Sequence, residues 1–249
     1  MAVDGRGRLW VTDFGNSRLR VYDRDGGLLG GWGGRGSGPH GLREPSGISI
    51  FGDRVLLADT WNGRVALFDV EGGWKGSVGG FFGPRGVALD PAGRIWVADT
   101  GNHRVLVYDD LGKPPVTLGG QGSGPLQFSS PVGIVVGPSG RVYVADTGNA
   151  RIQVLEPSGK LRSMIPVSRW SGPVEPQIAV DGAERLYVAS PSTDEVLAFD
   201  PAGNSLWARS LDDDGRKLAL PVGIAVDESR KCLWVVNAGN GSVTSLSLT

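Results

Sequence analysis

Only two of the 249 residues are histidine, His40 and His103, and only one is cysteine, Cys232. A catalytic zinc held by three imidazoles is therefore impossible on count alone, and so are a multi-cysteine zinc site and an internal disulfide framework. The carboxylates offer more. Glu44 and Glu175 each precede a short apolar run, and two such groups brought face to face could hold a cation or do acid–base work. Between them in sequence stands Arg85, whose guanidinium could grip a carboxylate or phosphate, or pair with Glu44. Asp212-Asp213-Asp214-Gly215 lacks the spaced acidic ligands and distal Glu of a calcium loop, so it reads as a solvated acidic turn. No Gly-x-Ser-x-Gly nucleophile motif and no phosphate loop occurs. These residue types assign no catalytic group, no metal ligand and no cofactor.

What must position them is repetitive. The stretch Gly86 to Gly120 contains a short apolar run at Val87-Ala88-Leu89, a turn at Pro91-Ala92-Gly93, and β-rich runs Arg94 to Ala98 and Arg104 to Tyr108 around Asp99-Thr100-Gly101-Asn102. A fourth run follows at Val116 to Leu118. Copies recur along the chain, with corners at Asp13, Asp59, Asp99, Asp146, Ser190 and Asn237, in steps of roughly 40 to 47 residues. Helical arrays share that period, but no long i, i+3, i+4 apolar stripe is present. Glycine (41) and proline (16) make up about a quarter of the chain, a level that suits many turns and not long helices. The expectation is one all-β domain over 1–249, a six-bladed β-propeller of four-stranded antiparallel blades, the last three-stranded. Its units are roughly 1–33, 47–80, 86–120, 133–166, 177–210 and 223–249.

Asp-Thr-Gly-Asn-x-Arg at Asp99 and Asp146, preceded by Pro-x-Gly-(Ile/Val) and followed by runs such as Val105 to Asp109, resembles the NHL repeat. The resemblance covers essentially the whole chain. Its fifth unit departs from the pattern, with Gln177 in place of Gly and Ser190-Pro191-Ser192-Thr193 in place of the corner. The family implies a Pro-x-Gly strand innermost around a central channel. Related propellers include metal-dependent lyases and lactonases acting at the channel mouth, and others that bind RNA.

Every blade needs its corner, whereas a ligand site needs its groups once, so repeated residues are read as architecture. The corner Asp is expected to accept N–H groups of its own tight turn, and the Arg five residues on to pair with it or with its neighbour in the next blade. The Arg8, Arg54, Arg94, Arg141 and Arg185 series is expected to be neutralised by acids ending the third strands, Asp23, Asp69, Asp109, Glu156 and Asp200. Function belongs to the variable connections and to corner residues that break the pattern. The candidate binding residues are Arg43, Glu44, Arg85, Arg169, Trp170 and Glu175 from the connections, with Trp61 and His103 from the corners. Trp61 stands where the corner wants Gly. Phe81, Phe82 and Phe128 read instead as plugs between blades.

The expected role is a non-catalytic scaffold that binds a protein, peptide or glycan through the variable-loop face, as a monomer. A metal-dependent lyase or lactonase and an RNA-binding propeller are the alternatives. The net charge of −1 gives no long-range pull towards nucleic acid or an anionic membrane, and no spanning run occurs. The opening MAVDGRGRLWV lacks the layout of a signal peptide and enters an inner strand at once. Either the ring tolerates a three-stranded last blade, or the sequence is part of a longer chain, for which an extracytoplasmic location stays open along with every other compartment.

Overall fold

The computed structural model describes residues 1–109, 112–170 and 175–248, and it is a ring of six antiparallel sheets. Blade 3 shows the plan. Gly86–Leu89 lies innermost, Ile95–Asp99 and Arg104–Tyr108 follow outward, and Val116–Leu118 forms the rim. Five blades have four strands and the sixth has three, Pro221–Asp227, Cys232–Asn237 and Ser242–Ser247. The ring closes without a shared strand. Blade 6 packs on blade 1 through Met1, Leu9 and Ala225, with Val3 and Trp234 beside them.

The glycine of Pro-x-Gly has a direct cause. Inner strands of neighbouring blades converge on the channel, so a Cβ on Gly86 would lie 2.1 Å from the Val132 carbonyl oxygen, and one on Gly133 would lie 2.8 Å from that of Pro176. No side chain fits at that separation. Further out the gap between blades widens, and each connection drops one apolar side chain into it. Leu42, Phe81, Phe128, Trp170 and Leu218 are all buried, one in each of five interblade cores. Burying each is worth roughly 1.5–3 kcal/mol. Phe81 and Phe128 are thus plugs as expected, while Phe82 lies exposed.

A second recurring device braces the turn between the first two strands. Asp90 accepts the N–H groups of Ala92 and Arg94 at 2.9 Å, the Arg94 Nε at 2.6 Å and the Trp96 indole at 3.1 Å. Asp4 with Arg8 and Trp10, and Asp181 with Arg185 and Tyr187, repeat it. The basic series is therefore neutralised in blades 1, 3 and 5 by the turn aspartate four residues before the arginine, not by the acid ending the third strand. Reach decides this, because the turn brings the two side chains together on one edge. Arg141, whose blade has Gly137 in the aspartate slot, stands 3.8 Å from Glu184 of the next blade.

Burial alone would push the Asp90 carboxyl up, but the Trp96, Arg94 backbone and Arg94 side-chain hydrogen bonds outweigh it and hold the group below its ordinary value; Asp4 and Asp227 are lowered by similar bonds. A carboxyl lowered by folding contributes stability that is present above its unfolded pKa of about 3.9 and is lost as pH falls through the folded value. Asp90→Asn should therefore lose roughly 1–3 kcal/mol at pH 6. Its gap to wild type should shrink below about pH 4, as read by urea unfolding across that range. A gap independent of pH would mean that the carboxylate charge contributes nothing.

Candidate functional site

The candidate face is built by the corners. After Asp59, Asp99 and Asp146 the chain makes one turn of 3-10 helix, Thr60–Asn62, Thr100–Asn102 and Thr147–Asn149, and then a left-handed residue. The turn closes on itself: the Gly63 N–H donates to the Thr60 carbonyl at 3.1 Å. Its N–H groups do not go to the aspartate as the sequence suggested. The Asp59 carboxylate instead accepts the N–H of Arg43 from the incoming connection, together with Asn62 Nδ2 and Arg64 Nε, all at 2.7 Å. Arg64 then reaches on to the carbonyls of Gly38 and Gly41 at 2.8 and 2.6 Å, while Asn62 donates to Gly36. Asp146, Asn149 and Arg151 grip Ser129, Gly122, Gly124 and Gln127 in the same way.

On this scaffold Phe14 to Ser17, Arg35, Arg43, Glu44 and Trp61 enclose an open cleft of about 410 Å³ between the corners of blades 1 and 2. Trp61 is 49% exposed and Phe14 41%. The Trp61 indole N–H donates to Glu44 Oε2 at 2.6 Å, and the Glu44 N–H donates to Ser17 Oγ at 3.3 Å. Arg35 and Arg43 are exposed, and among the described residues neither guanidinium has a hydrogen-bond or ion-pair partner. Phe14 also borders a mostly apolar pocket of about 240 Å³ at the channel mouth, lined among others by Val11, Ser46, Glu175 and Val222. There Arg85 Nη1 meets Glu175 Oε2 at 2.6 Å. Burial raises the Glu175 carboxyl, the Arg85 charge pulls it back, and the Glu44 charge raises it again, so the two glutamates lie within each other's field.

Five sequence candidates thus gather around the mouth: Arg43, Glu44, Trp61, Arg85 and Glu175. Three do not. His103 accepts the Ser130 N–H through Nδ1 at 2.9 Å in the corner of blade 3. Arg169 pairs with Glu195 at 2.5 Å. Trp170 is the buried plug between blades 4 and 5, unavailable as an exposed anchor, and its indole N–H has no partner among the described residues. Residues 171–174 of that connection lie outside the described residues. Phe14 and Arg35 were not singled out from sequence, although Phe14 breaks a corner position that is Thr60, Thr100 and Thr147 in blades 2 to 4. Thr60 and Thr100 donate to the Pro84 and Pro131 carbonyls at 3.0 and 2.6 Å. In blade 1 Thr12 takes over that link, to Ser46, so the Phe14 side chain is released to the surface. No group of three or more His, Cys, Asp or Glu side chains converges as a metal site among the described residues, and no helix is long and apolar enough to cross a membrane.

Residues 81–108 and 128–155 match the NHL repeat family, each match running from a plug phenylalanine to the end of a third strand. Blades 2, 5 and 6 keep the same order of plug, inner strand and corner, with substitutions in blade 5, and blade 1 keeps the order of inner strand and corner. The chain carries NHL repeats in blades 3 and 4 of a six-bladed propeller. A stretch of 95 residues is 32% identical to the human E3 ubiquitin-protein ligase NHLRC1; it covers 37% of this chain and only 24% of that protein. Among solved structures, a chain of a nidogen/laminin complex superposes with a TM-score of 0.76 at 17% identity, covering 97% of this chain and 89% of that one. Virginiamycin B lyase from Staphylococcus aureus gives 0.71 at 15%, over 99% and 79%. A gluconolactonase from Xanthomonas campestris gives 0.61 at 19%, over 82% and 75%. At such identities the likeness is one of fold.

The NHL corner makes a direct prediction. Asp59→Ala strips the partly buried Arg64 of its counterion and the connection of its anchor, at a cost of about 3–5 kcal/mol. Amide exchange across residues 36–43 should accelerate beyond the rest of the protein, and uniform acceleration would show that the carboxylate does not hold this loop.

Proposed function

We propose that this propeller is a non-catalytic recognition module that binds a protein, peptide or glycan through the cleft between the corners of blades 1 and 2. One internal comparison carries the reading. The connections Gly33 to Pro45 and Gly119 to Pro131 have the same length and the same clasp from Arg64 or Arg151. They also share the same bridge, Arg35 to Leu42 and Gln121 to Phe128. Architecture is therefore satisfied in the second copy by Gln121, Ser129 and Ser130 on the connection and by Gly148 and Thr100 on the corners. The first copy carries Arg35, Arg43, Glu44, Trp61 and Phe14 at those positions.

The Trp61 slot is the most telling of these. A Cβ on Gly148 would fall 2.4 Å from Ser129 Oγ, and one on Gly101 would fall 2.6 Å from the Phe82 carbonyl oxygen. Packing favours glycine there, and a half-exposed indole returns little burial for displacing it. Exposed aromatic and arginine side chains on a rigid frame are what binding surfaces use as anchors. The similarity to a protein named as a ubiquitin ligase fits a protein-recognising role for these repeats. The similarities to a lyase and a lactonase are of fold and bring no residue set with them.

The second copy also supplies the test. A variant with Arg35→Gln, Arg43→Ser, Glu44→Ser and Trp61→Gly borrows side chains the same scaffold already accepts, so its melting temperature should stay nearly unchanged. Ligands cross-linked by the wild-type protein and missing from the variant support the reading. Identical capture by both proteins rejects this cleft.

A further inference from the structure

We infer that the cleft's ligand is an acidic peptide segment carrying a large apolar or aromatic side chain; the inference rests on the recognition reading above and adds its chemistry. Charge is the first argument. On this face Arg18, Arg64, Arg85, Arg104, Arg151 and Arg169 are all paired with carboxylates. Arg35 and Arg43 are not, and they flank one cleft. The cleft's own carboxylate, Glu44, is engaged by the Trp61 indole at 2.6 Å and leaves two forked donors facing solvent. Guanidinium forks match carboxylates in a planar, two-bond geometry.

The donor balance narrows the class. A neutral sugar presents hydroxyls that both donate and accept, while this cleft offers chiefly donors; an anion needs donors alone. Between anions, polynucleotide binding draws on a run of phosphate-contacting cations. Among the described residues the unpaired guanidiniums of this cleft number two, and the surface inward of them carries Glu44 and Glu175. A phosphate chain entering the mouth would meet those charges, whereas a peptide can place its carboxylates outward and an uncharged side chain inward. The Phe14 and Trp61 rings provide the surface for that side chain. With its N–H already committed, the indole presents only its apolar face.

The experiment is a fluorescence anisotropy titration of the full chain with dye-labelled Glu-Asp-Phe-Asp-Glu, its Gln-Asn-Phe-Asn-Gln counterpart and a decauridylate RNA, each at 50 and 200 mM salt. The acidic peptide should bind at least about tenfold more tightly than the neutral one and should weaken with salt, as exposed charge pairs do. Arg35→Gln and Arg43→Ser should each reduce its affinity several-fold at unchanged melting temperature. Replacing the phenylalanine of the peptide by alanine should weaken it as well. Equal binding of the neutral peptide, tighter binding of the RNA, or no binding of the acidic peptide overturns the inference. The recognition reading fails separately, if the four-residue variant captures all that wild type does.

Discussion

A carboxylate sealed from water inside each corner of blades 2, 3 and 4 holds this face of the molecule together. Asp59, Asp99 and Asp146 are fully buried, and each accepts a backbone N–H from the connection entering its blade as well as an asparagine and an arginine from its own corner. Burying a charge is costly unless it is paired and its remaining lone pairs are used, and here both conditions hold. The arginines of blades 2 and 4 go on to carbonyl oxygens of the loop, so one buried anion organises about ten residues of irregular chain. The loops keep their course because their backbone is hung from the corner. Their outward side chains are then free of any structural duty.

Blade 5 shows the same requirement met with opposite signs. Ser190 replaces the aspartate and bonds Thr193 at 2.9 Å, while Glu195 occupies the register position that Arg104 holds in blade 3. A carboxylate in that slot needs a cation, and Arg169 of the incoming connection supplies it. The charge that distinguished Arg169 in sequence is thus the counterion of an inverted corner. In blade 6, Asn237 accepts the Ala219 N–H of the connection at 3.2 Å and donates to Ser242 Oγ, in the arginine slot, at 3.4 Å.

This inversion explains what could be read from sequence and what could not. The period, the strand runs and the Gly-rich corners fixed blade number and strand order, since they are local and repeated. Trp61 was visible as a break in a pattern. Arg169 and Trp170 were misplaced for the complementary reason: the fifth unit had drifted, so structural residues there looked unique. Arg35 escaped notice because its equivalence to Gln121 emerges only when two connections are compared position by position. The Arg85–Glu175 pair joins residues 90 apart across the channel and depended on knowing which strands face each other.

The cleft is prepared before any ligand arrives, and this bears on what it can bind. Asp59 accepts the Arg43 N–H, the Trp61 N–H donates to the Arg43 carbonyl at 3.1 Å, and Ser17 holds the Glu44 N–H. Binding therefore orders side chains and little backbone. With about 0.5–1.5 kcal/mol of rotamer entropy for each long side chain fixed, the two guanidiniums can lose more on ordering than exposed charge pairs return, which is about 0–1 kcal/mol each. Useful affinity then depends on the aromatic walls, which are already stiff, and on how far the ligand excludes water from the guanidiniums. A short segment whose apolar side chain covers Phe14 and Trp61 while its carboxylates stay in register satisfies both demands, and a highly charged ligand without that side chain satisfies neither.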